Sequence, residues 1–598
     1  MPTRTYRLGA LGSVLEVSMR SAFEVQILCK AAKGVTAAGS LINLVARCDP
    51  LMVTTEAQMR RSPRLFAIRM FLMATAFAGL ALVLSACGGG QHDDGKAPTV
   101  ATTEGPVRGA VANGVMTFLG IPYAAPPVGD LRWMPPAPPA HHALLEAVAF
   151  GKRCAQINTL NVFAAPSYEE DCLYLNVFAP VNAASQGKRP VMVWLHGGGL
   201  FDGESNDYDA SKLARDGGAV VVSINYRLNV FGFLAHPALD NEGHTFGNYG
   251  IMDQQAALRW VQNNIGAFGG DPKNVTLFGE SSGGESTLAN MISPTAQGLF
   301  QRAIVESGPV ISPLIPGWDK DVPTAEDFGR RFATAVGCPD QRAACLRSLS
   351  VRDILTKSGD FQTTQTIVDG TTLPVHFATA FPSGQFNRVS LLIGTNRDEW
   401  RWSNAVVELA TGKPLAASDY PTAIAGTFGQ AHAAQVIKHY PLSSYGSPSL
   451  ALSAAQTDGG FSCPMRLMTK QVASFGVATY AYEFNDRTAP TYMAPVSFPY
   501  GAAHTLEVQY LFPLYHGATG TPQPLNEQQK KLSDAMVSYW TTFAQYGNPN
   551  SDKAPFWPAY ADAPASDNWQ SLQLPKPVTT PTGDYAAEHQ CDFWDTLN

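Results

Sequence analysis

Asn274-Val-Thr-Leu-Phe-Gly-Glu-Ser-Ser-Gly-Gly284 (NVTLFGESSGG) is the stretch that decides the fold. Val275, Leu277 and Phe278 read as the end of a buried strand. Small residues then crowd together, and Glu285-Ser-Thr-Leu-Ala-Asn-Met-Ile292 has helical character. A strand that turns sharply into a helix, with Gly-x-Ser-x-Gly at the turn, presents its serine as a nucleophile. The glycines answer a steric need, because bulky neighbours at such a turn collide with the next strand and helix. Only Ser281 has glycine on both sides at the required spacing, Gly279 and Gly283; Ser282 has Glu280 two residues before it. Ser281 is therefore the candidate nucleophile. Ser282 is expected at the helix start, with its backbone N–H aimed at whatever Ser281 attacks.

A nucleophilic serine needs partners, and the chain offers them. His196-Gly-Gly-Gly199 follows the strand-like Val191-Met-Val-Trp-Leu195, so its glycines can bring backbone N–H donors up to a substrate oxygen. A serine hydroxyl is unreactive at its own pKa and requires a general base. Of the twelve histidines, His504 in GAAHTLEVQYLF fits best: it follows a strand-like run and sits among small residues. His516 and His589 are also late in the chain. The acid that orients the base should lie between serine and histidine, after a strand; VSLLIGTNRDEW ends in Asp398-Glu399, and either could serve.

Short apolar runs alternate with helical patterns along the chain: RPVMVWLHGGG, GAVVVSINYR, RAIVESG and ATYAYEF, with helical stretches such as MDQQAALRWVQNNI between them. Continuous Val/Ile/Leu-rich strands with helices between them predict an α/β fold, a mostly parallel sheet covered on both faces. Sites in such sheets form outside the carboxyl ends of the strands, where every motif above falls.

The first 86 residues read differently. From Met59 come a basic run (MRRSPRLFAIRM), an apolar run (FLMATAFAGLALVL) and Leu84-Ser85-Ala86-Cys87, the pattern of a signal peptide over 59–86 ending in a lipobox. Cys87 is then the expected lipidation site, which makes the protein exported and tied to a membrane of the cell envelope. A flexible tether is expected over 87–103 and a catalytic domain over 104–598. Residues 1–58 precede a complete signal and are expected to lie outside the native protein. Residues 1–86 hold ten basic and four acidic residues; without them the net charge of −7 becomes −13, which argues against nucleic-acid partners. Setting aside Cys29, Cys48 and Cys87 leaves six of nine cysteines. In an exported chain these suggest disulfides, and sequence proximity favours Cys154–Cys172 and Cys338–Cys345, leaving Cys463–Cys591. No C-x-x-C, H-E-x-x-H or Walker A motif occurs, so no metal and no cofactor is expected.

These residues resemble the type-B carboxylesterase family, which includes the cholinesterases. The likeness begins at FLGIPYAAPPVGDLRW (118–133), continues through EDCLYLNVFAP (170–180), HGGGL and FGGDPKNVTLFGESSGG (268–284), and ends at CDFWD (591–595). It implies an α/β-hydrolase fold and a serine carboxylesterase acting on small-molecule esters. It places the nucleophile at Ser281, the acid at Glu399 rather than Asp398 and the base at His504. The implied oxyanion donors are the N–H groups of Gly198, Gly199 and Ser282, with Glu280 and Ser307 supporting the triad. The family's disulfide pattern agrees with the three pairs favoured above. Trp400 follows the acid where the family often has glycine, and Trp402 is a possible pocket residue or a structural tryptophan. The segment between Cys154 and Cys172 contains no tryptophan, and Leu200 stands where cholinesterases have an aromatic; both speak against a choline ester. A lipase or polyester-degrading variant is the alternative reading. A non-catalytic adhesion role, as in family members that lose a triad residue, is disfavoured because all three residues are present. The oligomeric state is not readable.

Overall fold

The computed structural model describes residues 97–597 apart from 158–163, 184–186, 309–318, 363–364, 518–519 and 561–566. Of the preceding chain it describes only three strands, Arg4–Arg7, Val14–Ser21 and Glu24–Lys30, which pair antiparallel. The expected signal peptide and Cys87 lie outside the described residues.

An eleven-stranded sheet organises residues 97–597. Its strands are β1 (Ala110–Ala112), β2 (Val115–Pro122), β3 (Tyr174–Pro180), β4 (Arg189–Leu195), β5 (Val220–Ile224), β6 (Gly270–Glu280), β7 (Arg302–Glu306), β8 (Ser390–Asn396), β9 (Thr479–Phe484), β10 (Gln570–Leu572) and β11 (Val578–Thr579). Across the sheet they run β11-β10-β9-β8-β7-β6-β4-β5-β3-β2-β1. The seven from β10 to β5 are parallel, and the strands toward each edge are antiparallel. The parallel centre is the one expected from the continuous apolar runs.

Alternation along each strand makes two cores. Val191, Val193 and Leu195 of β4 face one side, with Val275 and Leu277 of β6; Met192, Trp194 and Phe278 face the other. Helices α1 (Tyr249–Asn264) and α2 (Ser282–Ile292) cover the first face through residues such as Leu258, Val261, Leu288 and Met291. Helix α3 (Arg401–Thr411) follows β8, and α4 (Glu527–Tyr546) covers the second face through Leu532, Met536, Trp540 and Phe543. A capping box starts α4: Asn526 accepts the Gln529 N–H, and Gln529 accepts the Asn526 N–H, each at 3.0 Å.

The three disulfides pair as expected, Cys154–Cys172, Cys338–Cys345 and Cys463–Cys591. Part of the segment expected as a tether over 87–103 is regular structure. Thr99–Thr102 is already a strand, paired antiparallel with Gly105–Arg108, and Thr103 N–H donates to Asn264 Oδ1 at 2.7 Å. Antiparallel pairing across a two-residue turn, with Val100 packed against the core, orders this segment.

Candidate active site

Strand β6 ends at Glu280 and α2 begins at Ser282, so a single residue, Ser281, makes the turn. Its φ of 56° and ψ of −126° are a conformation that L-residues rarely adopt. The turn is held by Ser281 N–H donating to Glu306 O (2.9 Å) and Glu285 N–H donating to Ser281 O (3.0 Å). A Cβ on Gly283 would stand 2.0 Å from Leu195 O, and one on Gly279 would stand 2.6 Å from the carbonyl carbon of Gly283. The two glycines that single out Ser281 in the sequence are thus required by the closeness of β4 and α2.

The glycine loop at the end of β4 lies against this turn. A Cβ on Gly197 would be 3.0 Å from the Ser281 Cβ and 2.8 Å from Glu280 Oε2. Gly198 and Gly199 take φ of 115° and 65°, and Gly198 O accepts the Asp202 N–H at 2.9 Å. Behind the loop, Tyr226 donates its hydroxyl to His196 O at 2.7 Å and stacks on the His196 ring. Leu200 is buried in the next position.

His504 lies beyond β9, in a buried loop. Its Nδ1 is 2.6 Å from Glu399 Oε2, and its Nε2 is 3.3 Å from Glu280 Oε1. Glu399 is fixed in turn by the Asn396 N–H at 2.7 Å. Among the described residues Ser281 Oγ has no hydrogen-bond partner, and Nε2 faces the adjacent Glu280. Asp398, the other acid the sequence left open, is taken up by Arg487 (2.6 and 2.8 Å), Arg401 (2.8 Å) and the Ala502 N–H (3.0 Å). His516 bonds its own loop at Leu514 O. His589 is buried between Asp458 (2.5 Å) and Glu483 (2.6 Å).

Buried carboxylates set the electrostatics. Burial disfavours a charged His504, but Glu280, Glu399 and Glu507 outweigh it and push the imidazole up to about 10. Burial, reinforced by Glu507, Glu399 and Glu306, pushes Glu280 well above the usual carboxylate range. Glu306, whose Oε1 accepts the Trp540 N–H at 2.8 Å, is pushed up in the same way. Burial and Glu399 bring Glu507 to about 7. Ser307, at φ 50°, donates its N–H to Gly394 O beside this group.

Glu507 and Phe461 are residues the sequence reading missed. Glu507 accepts from Asn396 Nδ2, and its charge acts on His504. The available signal was a lone carboxylate in the otherwise uncharged run TLEVQYLF. Phe461 sets its ring edge-on to His504 at 5.5 Å between centroids, and Trp402 does so at 6.3 Å while donating its N–H to Tyr492 OH. Trp402 is thus buried beside the histidine. A separate cleft of about 550 Å³ lies at Arg189, at the opposite end of β4, and is lined by none of these groups.

Residues 96–594 match the model of the carboxylesterase family. The chain is 36% identical over 495 residues to the para-nitrobenzyl esterase of Bacillus subtilis (strain 168), covering 77% of this chain and 92% of the relative. It is 35% identical over 514 residues to a mouse (Mus musculus) acylcarnitine hydrolase, covering 81% and 89%, and 33% identical over 574 residues to the human (Homo sapiens) cocaine esterase, covering 89% and 96%. A match over this much of the sequence, to relatives named as ester hydrolases and on an eleven-stranded sheet with a serine at its strand-to-helix turn, means that the chain is a carboxylic-ester hydrolase of the carboxylesterase family, of α/β-hydrolase fold.

Proposed function

We propose that this protein is a serine carboxylesterase that works through an acyl-enzyme on Ser281, with His504 as general base and Glu399 as the acid that orients it. The observation that carries the reading is the 2.6 Å contact between His504 Nδ1 and Glu399, on a ring whose Nε2 lies 3.3 Å from Glu280 Oε1, the residue next to Ser281. Apo hydrogen bonds at such sites are commonly long and tighten when substrate binds. In the first step His504 Nε2 takes the proton as Ser281 Oγ attacks the ester carbonyl. The oxyanion forms against the N–H groups of Gly198, Gly199 and Ser282, and helix α2 adds its positive end. His504 then gives the proton to the leaving alcohol. Water, deprotonated by the same nitrogen, attacks the acyl-enzyme, releases the acid and restores Ser281.

The relatives are named for esters of quite different alcohols, which favours a broad substrate range over a single dedicated ester. Leu200 is buried next to the glycine loop, and Trp402 and Phe461 meet His504 edge-on, which gives part of the site an apolar wall. The protein is read as exported, with a lipid anchor on Cys87 following the signal over 59–86.

Hydrolysis of p-nitrophenyl esters with acyl chains from two to sixteen carbons, by the full protein beside Ser281→Ala, tests the reading. Ser281→Ala should lower kcat by on the order of 10⁴-fold or more with little change in KM. A variant that keeps more than a tenth of the activity would overturn Ser281 as the nucleophile. The acyl-length optimum separates a carboxylesterase from a lipase.

A further inference from the structure

A sheet edge is a row of unpaired backbone groups, and proteins ordinarily blunt it with charge, proline or a covering element. Edge strand β1 is Ala110-Val111-Ala112, exposed at all three residues and uncharged. Other apolar side chains stand around it. Val148 is 55% exposed, Val181 47%, Phe150 41% and Val111 itself 40%. Backbone contacts place them together. Val111 pairs with Met116 of β2, and Val148 bridges Leu119 of the same strand. Gly120 lies so close to Phe150 that a Cβ would stand 3.3 Å from the Phe150 carbonyl carbon. Val181 donates its N–H to Gly114, in the β1–β2 turn, at 3.2 Å.

Two further observations say what this edge faces. Three cations at its rim are each paired with a carboxylate: Arg108 with Glu146, Lys152 with Glu169 and Arg215 with Asp216. The surface therefore offers apolar contact rather than the polybasic attraction that recognises anionic lipid. The chain also enters the folded unit here: Gly109, the residue before β1, donates its N–H to Pro98 O at 2.9 Å. Only residues 88–96 separate Ala97 from Cys87. The ten Cα-to-Cα steps from Cys87 to Ala97 reach at most about 35 Å, so an acyl group on Cys87 keeps this edge within reach of the bilayer.

We propose that the apolar edge formed by Val111, Val148, Phe150 and Val181 is a membrane-contact surface, seated in the interface of the lipid layer that holds Cys87. The inference rests on the lipid-anchor reading and adds to it a second, non-covalent attachment that fixes how the enzyme stands on the membrane. Because the contact is apolar, it is insensitive to salt and to lipid charge.

The test uses the full chain, acylated in a bacterial host and reconstituted in vesicles of phosphatidylethanolamine and phosphatidylglycerol with brominated acyl chains. A bimane label is attached in the separate variants Val148→Cys, Phe150→Cys and Val578→Cys. Val578 is also exposed but stands on β11, the other edge of the sheet. The mass of the peptide bearing Cys87 reports on the anchor independently. The expected result is quenching several-fold stronger at positions 148 and 150 than at 578, unchanged in high salt. Equal, weak quenching at all three positions of an acylated, vesicle-bound protein overturns the surface and leaves the anchor standing. A Cys87 peptide without acyl groups overturns the anchor, and this inference with it. A detergent-solubilised dimer that falls to monomers on Val148→Ser with Phe150→Ser assigns the edge to a second copy and overturns the membrane contact.

Discussion

Three carboxylates press on one imidazole, and the sign of that pressure can be read in a pH profile. Glu280, Glu399 and Glu507 all favour the protonated form of His504, whereas the proposed chemistry starts from the neutral form. Glu280→Gln removes one of these charges. The pKa of His504 then falls, the neutral imidazole exists at lower pH, and the acid limb of kcat/KM moves down by on the order of one pH unit. An acid limb that stays in place would mean Glu280 holds its proton in the working enzyme. At this scale the sequence was partly legible. Ser281 could be chosen over Ser282 because the steric demand on its flanks is local. Asp398 and Glu399 could not be separated by position, since both follow β8. Only the family resemblance chose Glu399, and in the structure Arg487, 89 residues away, occupies Asp398. Glu507 was missed for the same reason, because its effect on His504 passes through space and leaves only a lone charge in a quiet stretch of sequence.

Helix α2 approaches β4 so closely that backbone touches backbone, and that closeness makes the turn intolerant. In Gly283→Ala the added methyl would overlap Leu195 O, so β4 or α2 must shift. The expected cost is on the order of 3 kcal/mol or more, seen as a lowered denaturation midpoint and loss of activity. A variant with wild-type stability would contradict this packing. The central strands were legible because burial on both faces leaves continuous apolar runs such as Val220–Ile224, and no amphipathic alternation has to be recognised. The margins were not. Strands β1, β10 and β11 have two or three residues each, too short for any periodicity, and β-pairing alone defines them. The strand Thr99–Thr102 was hidden inside an expected tether because its partner lies just across a turn.

Across the whole molecule, the C-terminal segment is fastened back onto the sheet. The Cys463–Cys591 bond makes one attachment, and His589, between Asp458 and the β9 residue Glu483, makes another. Burial disfavours charge on His589, but the two carboxylates outweigh it and raise it from 6.5 to about 9. The folded value lies above the unfolded one, so protonation favours the fold. The contribution is whole below about pH 6.5 and is lost as pH rises through about 9. The Tm of the wild type should fall across that window. His589→Gln should start on the order of 5 °C lower at pH 6 and show a flatter profile. A variant profile parallel to the wild type would remove His589 from the account. Residue position alone left the role of His589 unclear, since its partners lie more than 100 residues away. The same long-range assembly governs the site itself. Gly198, Ser281, Glu399 and His504 reach one place only when β4, β6, β8 and β9 are side by side, so no early portion of the chain contains a working centre. Such non-local order forms late in folding. Synthesis therefore ends, on the proposed mechanism, with a quality check: a polypeptide interrupted before residue 504 lacks the proposed base, and only the finished chain carries the whole site.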